Sequence, residues 1–180
     1  MKHNFEFTNN MKTLFIIFCA LLVINITFAQ DLNTIITDPN TGKEILYGYC
    51  DRQGLTSEPF NEWFEPEYES YRVDADKLSE INLNVLFNTS ITIVLGTWCS
   101  DSQREVPRFY RILDYLGFHE ENLKLICVDR TKDAAGTEVP ELSIDFVPTF
   151  IIYIEDQEMG RIIESPAESP EADLVKILGN

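Results

Sequence analysis

Two continuous apolar runs separated by an amphipathic helix constrain the fold of this chain more than any other feature. Residues 91–96 (ITIVLG) are rich in β-branched side chains and predict a buried strand, and residues 123–128 (LKLICV) predict a second. Between them, apolar residues recur at helical spacing from about Cys99 to Leu116, and Gly117 supplies a natural stop. A strand–helix–strand unit of this kind predicts a parallel, right-handed crossover in a sheet that is covered on both faces.

The remaining elements extend this unit into a mixed sheet. A turn over residues 155–158 joins two further strands as an antiparallel hairpin, and Ser169 followed by Pro170 begins a final helix. A short helical turn is expected over residues 140–145. The other predicted strands and helices cover residues 44–50 (strand), 75–87 (helix), 149–154 (strand) and 160–163 (strand).

The segment before this unit contains a cluster of aromatic side chains. They are Phe60, Trp63, Phe64, Tyr68 and Tyr71. Their spacing suits one face of a helix, but Pro59 and Pro66 interrupt it, so a helix and an irregular packed segment are both compatible with the pattern. The cluster is expected to pack on the main domain, with peptide binding as the alternative. The predicted organisation is a signal peptide (1–29), an N-terminal extension packing on the core (30–85) and the main domain (86–180).

The N-terminal residues have the pattern of a secretory signal peptide. Lys12 precedes an apolar run from Leu14 to Phe28, and Ala29 ends a plausible cleavage site before Gln30. The run is shorter than the roughly 20 residues of a membrane-spanning helix, so no stable membrane insertion is expected after cleavage. The protein is therefore predicted to be exported to the periplasm or cell envelope, or secreted. Met11 is an alternative start.

Charge and residue types exclude several classes of function. The formal net charge of −16 repels phosphate backbones, so no nucleic-acid partner is expected. No spacing of cysteines and histidines resembles a zinc site, and no metal or other cofactor is predicted. The lone histidine after residue 30, His119, lies in an acidic loop and is not expected to be catalytic.

Residues 97–102 (TWCSDS) lie where the first buried strand ends and the helix begins. A helix N-terminus presents unpaired N–H groups and the positive end of the helix dipole, which stabilise a thiolate. The strand–helix junction also leaves room for a partner disulfide to approach. Cys99 is therefore the candidate nucleophile.

Here the sequence resembles the thioredoxin family. The matching features are Trp98-Cys99, Pro107 eight residues later, the Val147-Pro148-Thr149 run, Asp129 after its strand and Gly160 in the hairpin. The resemblance covers roughly residues 86–180 and implies a thioredoxin-like three-layer α/β fold with a central mixed sheet. It also implies that Pro148 is a cis-proline whose loop faces Cys99 and pairs with substrate backbone, which makes Trp98, Val147 and Pro148 candidate substrate-binding residues.

Two departures from the family pattern affect the chemistry. Ser102 stands where the family has its second cysteine, and Ile93 stands where it has a buried carboxylate that assists proton transfer. A serine hydroxyl does not resolve a mixed disulfide, but it can donate a hydrogen bond to the Cys99 thiolate. The negative charge of the nearby Asp101 is expected to destabilise that thiolate, and the positive charge of Arg104 is expected to stabilise it.

These features leave several functions open. The leading hypothesis is monothiol thiol–disulfide exchange through Cys99, assisted by Ser102, with protein or small-molecule thiols and disulfides as partners. The alternative is a non-enzymatic module that binds extended peptides at the Pro148 loop. A thiol peroxidase is disfavoured because no proline–threonine pattern precedes Cys99.

An exchange reaction without a second motif cysteine needs another source of resolution. This source is a substrate thiol, a small external thiol or another cysteine of the chain. Cys127 lies among apolar residues and is expected to act as a small core side chain rather than a resolving thiol. Cys50 ends a predicted strand and is either a free thiol, a resolving thiol for Cys99 or part of a structural disulfide.

Overall fold

Six strands form one mixed sheet at the centre of the computed structural model, which describes residues 31–179. In space they follow the order β1-β2-β4-β3-β5-β6, with β3 and β4 parallel and every other neighbouring pair antiparallel. The strands are β1 (Thr34–Thr37), β2 (Glu44–Cys50), β3 (Thr89–Leu95), β4 (Leu123–Cys127), β5 (Thr149–Ile154) and β6 (Gln157–Ile163). The predicted signal peptide lies outside the described residues.

Seven α-helices accompany the sheet within residues 31–179. They are α1 (Arg52–Leu55), α2 (Asn61–Ser70), α3 (Ala75–Leu78), α4 (Leu83–Phe87), α5 (Ser100–Leu116), α6 (Val139–Leu142) and α7 (Pro170–Leu178). The long helix α5 ends at Gly117, which has the left-handed backbone of a helix stop, as the sequence predicts. Ser169 caps α7 by accepting a hydrogen bond from the Ala172 amide. None of these helices is long and apolar enough to cross a membrane.

Both faces of the sheet are covered. On one face, Leu95 and Phe150 belong to a core that includes side chains of α2, α5 and α7. On the other face, Val94 packs in a smaller core with Val139 of α6. Strand β3 is buried along nearly its whole length because its alternate side chains enter both cores. The three-layer α/β fold around a mixed sheet is thus confirmed.

The predicted N-terminal extension contributes to this sheet and to one of its cores. Strand β2 occupies an interior position, where it pairs with β1 on one side and β4 on the other. Helix α2 packs against α5, and α3 packs against α7. Of the two conformations compatible with the aromatic segment, the structure has the helix, with Pro66 inside it and Phe64 buried against the core.

Other elements differ from the sequence-based expectations. Residues 34–37, where the sequence predicts no strand, form the short edge strand β1. The helix expected over residues 75–87 is two short helices, because Asp74 and Asn82 each cap a separate helix start by accepting a backbone hydrogen bond. The last strand begins at Gln157 rather than Gly160, since the hairpin turn needs only two residues, both with positive φ.

Candidate active site around Cys99

Cys99 occupies the N-cap position of α5, directly after the end of β3. Its amide donates to the Gly96 carbonyl at 2.8 Å, and its own carbonyl accepts from the Gln103 amide at 3.0 Å. The backbone of Cys99 is extended, and its side chain makes no capping hydrogen bond. A half-buried thiol is therefore held at the positive end of a long helix with its sulfur available for other contacts.

The loop before β5 faces this thiol. The Cys99 sulfur lies 3.3 Å from the Val147 carbonyl oxygen, to which the thiol donates, and the Val147–Pro148 peptide bond is cis. The Thr149 hydroxyl donates to the Phe146 carbonyl at 2.7 Å, and the Pro148 carbonyl accepts from the Glu164 amide at 2.7 Å. The structure therefore brings together three of the predicted site residues: Cys99, Val147 and Pro148.

Ser102 lies one turn into α5 and is fully buried. Its hydroxyl oxygen accepts a hydrogen bond from the Gly96 amide at 3.2 Å. A hydrogen bond to the Cys99 sulfur, which the sequence predicts, is not among the contacts of the described residues. The serine instead ties the start of α5 to the end of β3.

Trp98, the other predicted binding residue, lies across the ends of two strands. Its indole N–H donates to the Val128 carbonyl at 2.9 Å, and the Arg130 guanidinium carbon lies 4.8 Å from the ring centroid. Gly96 lies directly beneath the ring. A Cβ built at Gly96 would come within 2.6 Å of Trp98 Cε2, so the position of the ring depends on this glycine.

A buried carboxylate, Asp38, holds the arginine that stacks on Trp98. Asp38 accepts hydrogen bonds from the Arg130 side chain and the Thr41 hydroxyl, each at 2.7 Å, and from the Asn40 amide at 3.0 Å. Burial raises the pKa of Asp38, but these hydrogen bonds and the Arg130 charge outweigh burial and lower the pKa. The sequence pattern does not predict this link, because it joins two residues that are far apart in the chain.

A cavity of about 480 Å³ opens beside Trp98. Its walls combine aromatic side chains with charged ones of both signs, including Asp38, Lys43, Phe60, Trp63, Trp98 and Arg130. This composition offers apolar surface together with polar groups beside Trp98, although Cys99 itself is not among the lining residues.

Charges on the first turns of α5 are paired with one another. The Arg104 side chain contacts Asp101 at 2.8 Å and the buried Glu105 at 2.6 Å, and it also donates to the Ser165 hydroxyl at 3.0 Å. The sequence predicts opposite effects of Asp101 and Arg104 on the Cys99 thiolate. In the structure these two residues form an ion pair with each other.

The other two cysteines among the described residues lie away from Cys99. Cys50 and Cys127 belong to the core on the α5 side of the sheet, whereas Cys99 packs against the core on the opposite side. Their sulfurs lie 2.7 Å apart. Burial and the adjacent Cys50 sulfur raise the pKa of the Cys127 thiol well above its usual range.

His119 and the acidic residues of the described segment, 31–179, form no metal centre. His119 lies beyond the C-terminal end of α5, the opposite end from Cys99, with its ring centroid 6.4 Å from that of Phe87. Within residues 31–179, no group of three or more histidine, cysteine, aspartate or glutamate side chains is arranged to hold a metal ion.

Comparison with known proteins shows that several solved structures are similar to part of this chain. No protein-family model matches the sequence, and no curated protein matches it significantly. A protein of unknown function from Pseudomonas aeruginosa shares 16% identity, with 66% of this chain and 74% of that chain covered and a TM-score of 0.42.

Two thioredoxins are also similar to part of this chain. Thioredoxin O2 from Arabidopsis thaliana shares 14% identity over 58% of this chain and 82% of its own, with a TM-score of 0.35. Thioredoxin F from spinach chloroplast shares 16% identity over 59% of this chain and 92% of its own, with a TM-score of 0.37.

Proposed function

We propose that this chain is an exported thioredoxin-fold protein that carries out monothiol thiol–disulfide exchange through Cys99. The observation that carries the proposal is the position of the Cys99 sulfur, half-buried at the N-terminus of α5 and 3.3 Å from the Val147 carbonyl. A thiol in this position lies at the positive end of the helix dipole and remains partly exposed to a partner. Trp98, Val147 and Pro148 are the proposed substrate-binding residues.

The reaction begins when the Cys99 thiolate attacks a disulfide of a protein or a small molecule. A mixed disulfide forms at Cys99, and the other half of the partner disulfide leaves as a thiolate. A second thiol, supplied by the substrate or by a small external molecule, then attacks the mixed disulfide and regenerates the Cys99 thiolate. No cofactor enters either step.

The resolving thiol is proposed to come from outside the chain because the described residues offer poor internal candidates. Ser102 is buried, and its oxygen is engaged by the Gly96 amide. Cys50 and Cys127 are buried in the core on one face of the sheet, whereas Cys99 packs against the core on the other face.

The proposal is tested by adding an aromatic disulfide reagent with a coloured leaving thiolate to the folded full chain. We expect rapid thiolate release, and peptide mapping should place the mixed disulfide on Cys99. Cys99→Ser should abolish this reaction, whereas Ser100→Ala, an exposed neighbour on α5, should leave its rate unchanged. A folded chain in which Cys99 reacts no faster than the buried cysteines would overturn the proposal.

The second candidate is a non-enzymatic module that binds extended peptides. The cavity of about 480 Å³ lined by Trp98, the residue that precedes Cys99, favours it, because its aromatic and charged walls offer both apolar surface and polar groups to a bound peptide. The two functions differ in their dependence on the sulfur. Partner binding that survives Cys99→Ser would support the module, and binding lost with the thiol would support exchange.

Export is proposed from the sequence pattern of residues 11–30. N-terminal sequencing of the protein recovered outside the cytoplasm of a bacterial host tests it. Processing before Gln30 is the expected result, and an unprocessed chain retained in the cytoplasm would contradict it.

A further inference from the structure

Cys50 and Cys127 face each other across neighbouring strands. In the antiparallel pairing of β2 with β4, Cys50 lies opposite Leu125 and Cys127 lies opposite Gly48. The two cysteines are therefore diagonal neighbours on one face of the sheet.

The sulfur atoms lie 2.7 Å apart, which is far closer than an ordinary non-bonded contact between two sulfurs. A disulfide needs a separation of about 2.05 Å, so a shift of about 0.7 Å converts this contact into a bond. The two side chains are already oriented toward each other in a packed interior.

From this geometry we propose that Cys50 and Cys127 form an intramolecular disulfide that links β2 covalently to β4. Each thiol loses a proton and one electron, and an S–S bond forms between the two sulfurs. The two electrons and two protons pass to a small-molecule or protein disulfide, which is reduced to two thiols. The exchange takes place during folding, before β2 docks, because Cys127 is fully buried and Cys50 is 6% exposed in the folded chain.

This bond has a consequence for the chemistry at Cys99. With Cys50 and Cys127 joined, Cys99 is the single free thiol among the described residues. The bond also fixes the N-terminal extension to the sheet through β2. The inference does not depend on the reactivity of Cys99, since it concerns the opposite face of the sheet.

The experiment refolds the reduced full chain in a buffer of reduced and oxidised glutathione. Remaining thiols are then alkylated in denaturant without reductant, and the peptides are mapped by mass spectrometry. We expect the loss of two free thiols per chain, a cross-linked peptide pair containing Cys50 and Cys127, and an alkylated Cys99. Cys99→Ser should give the same cross-link, and this variant leaves the buried pair intact.

Two results would overturn the proposal. One is a folded chain, judged by circular dichroism, in which Cys50 and Cys127 are both alkylated after oxidation. The other is a cross-link that joins Cys99 to either of them. A successful cross-link with an unreactive Cys99 would support the disulfide and count against the exchange function, so the two proposals fail separately.

Discussion

Glu171 provides a quantitative test of whether the N-terminal extension and the core fold as one cooperative unit. This carboxylate lies in the first turn of α7 and is 1% exposed. It accepts hydrogen bonds from the Tyr71 hydroxyl at 2.9 and 3.0 Å and from the Asp74 amide at 3.1 Å. Both donors belong to the segment that joins α2 to α3, so a single side chain connects the extension to the last helix.

Replacing Glu171 with alanine removes the acceptor from both donor groups. A hydrogen bond to a charged group contributes about 1.5–3 kcal/mol. The lower value of this range applies to each hydrogen bond here, because Tyr71 is half-buried and Asp74 is exposed. Water can therefore reach both donors after the change. The expected loss is about 3 kcal/mol in the free energy of unfolding. For a chain of this size it corresponds to a fall in melting temperature of about 6–12 °C.

Urea titration followed by circular dichroism measures this loss, and Tyr71→Phe is the matched control. The control removes one donor and should cost about 1.5 kcal/mol. If the two groups interact directly, the double variant should be no less stable than Glu171→Ala alone. A loss below about 1 kcal/mol for Glu171→Ala, or strictly additive effects, would refute the coupling of the extension to α7.

Three further predictions concern the site and its supports. Gly96→Ala forces the Trp98 ring to move, so it should cost about 1–3 kcal/mol by urea titration and change the indole fluorescence; an unchanged spectrum would contradict the close contact. Gly117→Ala places a side chain at φ +66° with open space around it, so only the backbone cost of about 1 kcal/mol is expected in the same titration. The pKa of Asp38 is lower in the folded chain, so its ionised form stabilises the fold above about pH 4, and this stabilisation is lost as pH falls through the folded pKa. Asp38→Asn should therefore lose stability at neutral pH and show a weaker dependence of stability on pH in acid; an unchanged pH profile would contradict this.

The strand–helix–strand unit was predictable because its apolar residues carry a strong local signal. Strand β3 is buried on both faces, and α5 has a continuous apolar face closed by Gly117. Strand β1 was not predictable in this way. It has four residues at the edge of the sheet, Ile35 is 48% exposed, and its existence depends on backbone pairing with β2.

At the site, the sequence predicted that Cys99 faces the Pro148 loop, but it predicted neither the partner of Ser102 nor the support of Trp98. The placement of Cys99 at a helix start opposite the Pro148 loop followed from motifs on recognisable elements. The support of Trp98 by Arg130 and Asp38 did not, because Asp38 and Arg130 are separated by 92 positions in the chain. A contact between residues so far apart in the chain depends on the register of the whole sheet. The local pattern of residue types gives no information about that register.

The two departures from the thioredoxin pattern have a common physical basis in this structure. Ser102, where the pattern has a cysteine, accepts the Gly96 hydrogen bond at the strand–helix junction, a role that suits a hydroxyl better than a weakly accepting thiol. Ile93, where the pattern has a carboxylate, is fully buried in the apolar core, where an unpaired charge would be costly. Both positions therefore serve packing and backbone pairing rather than proton transfer. In the proposed exchange, Cys99 is therefore the reacting group at this end of the sheet, and the thiol that resolves its mixed disulfide comes from outside the chain.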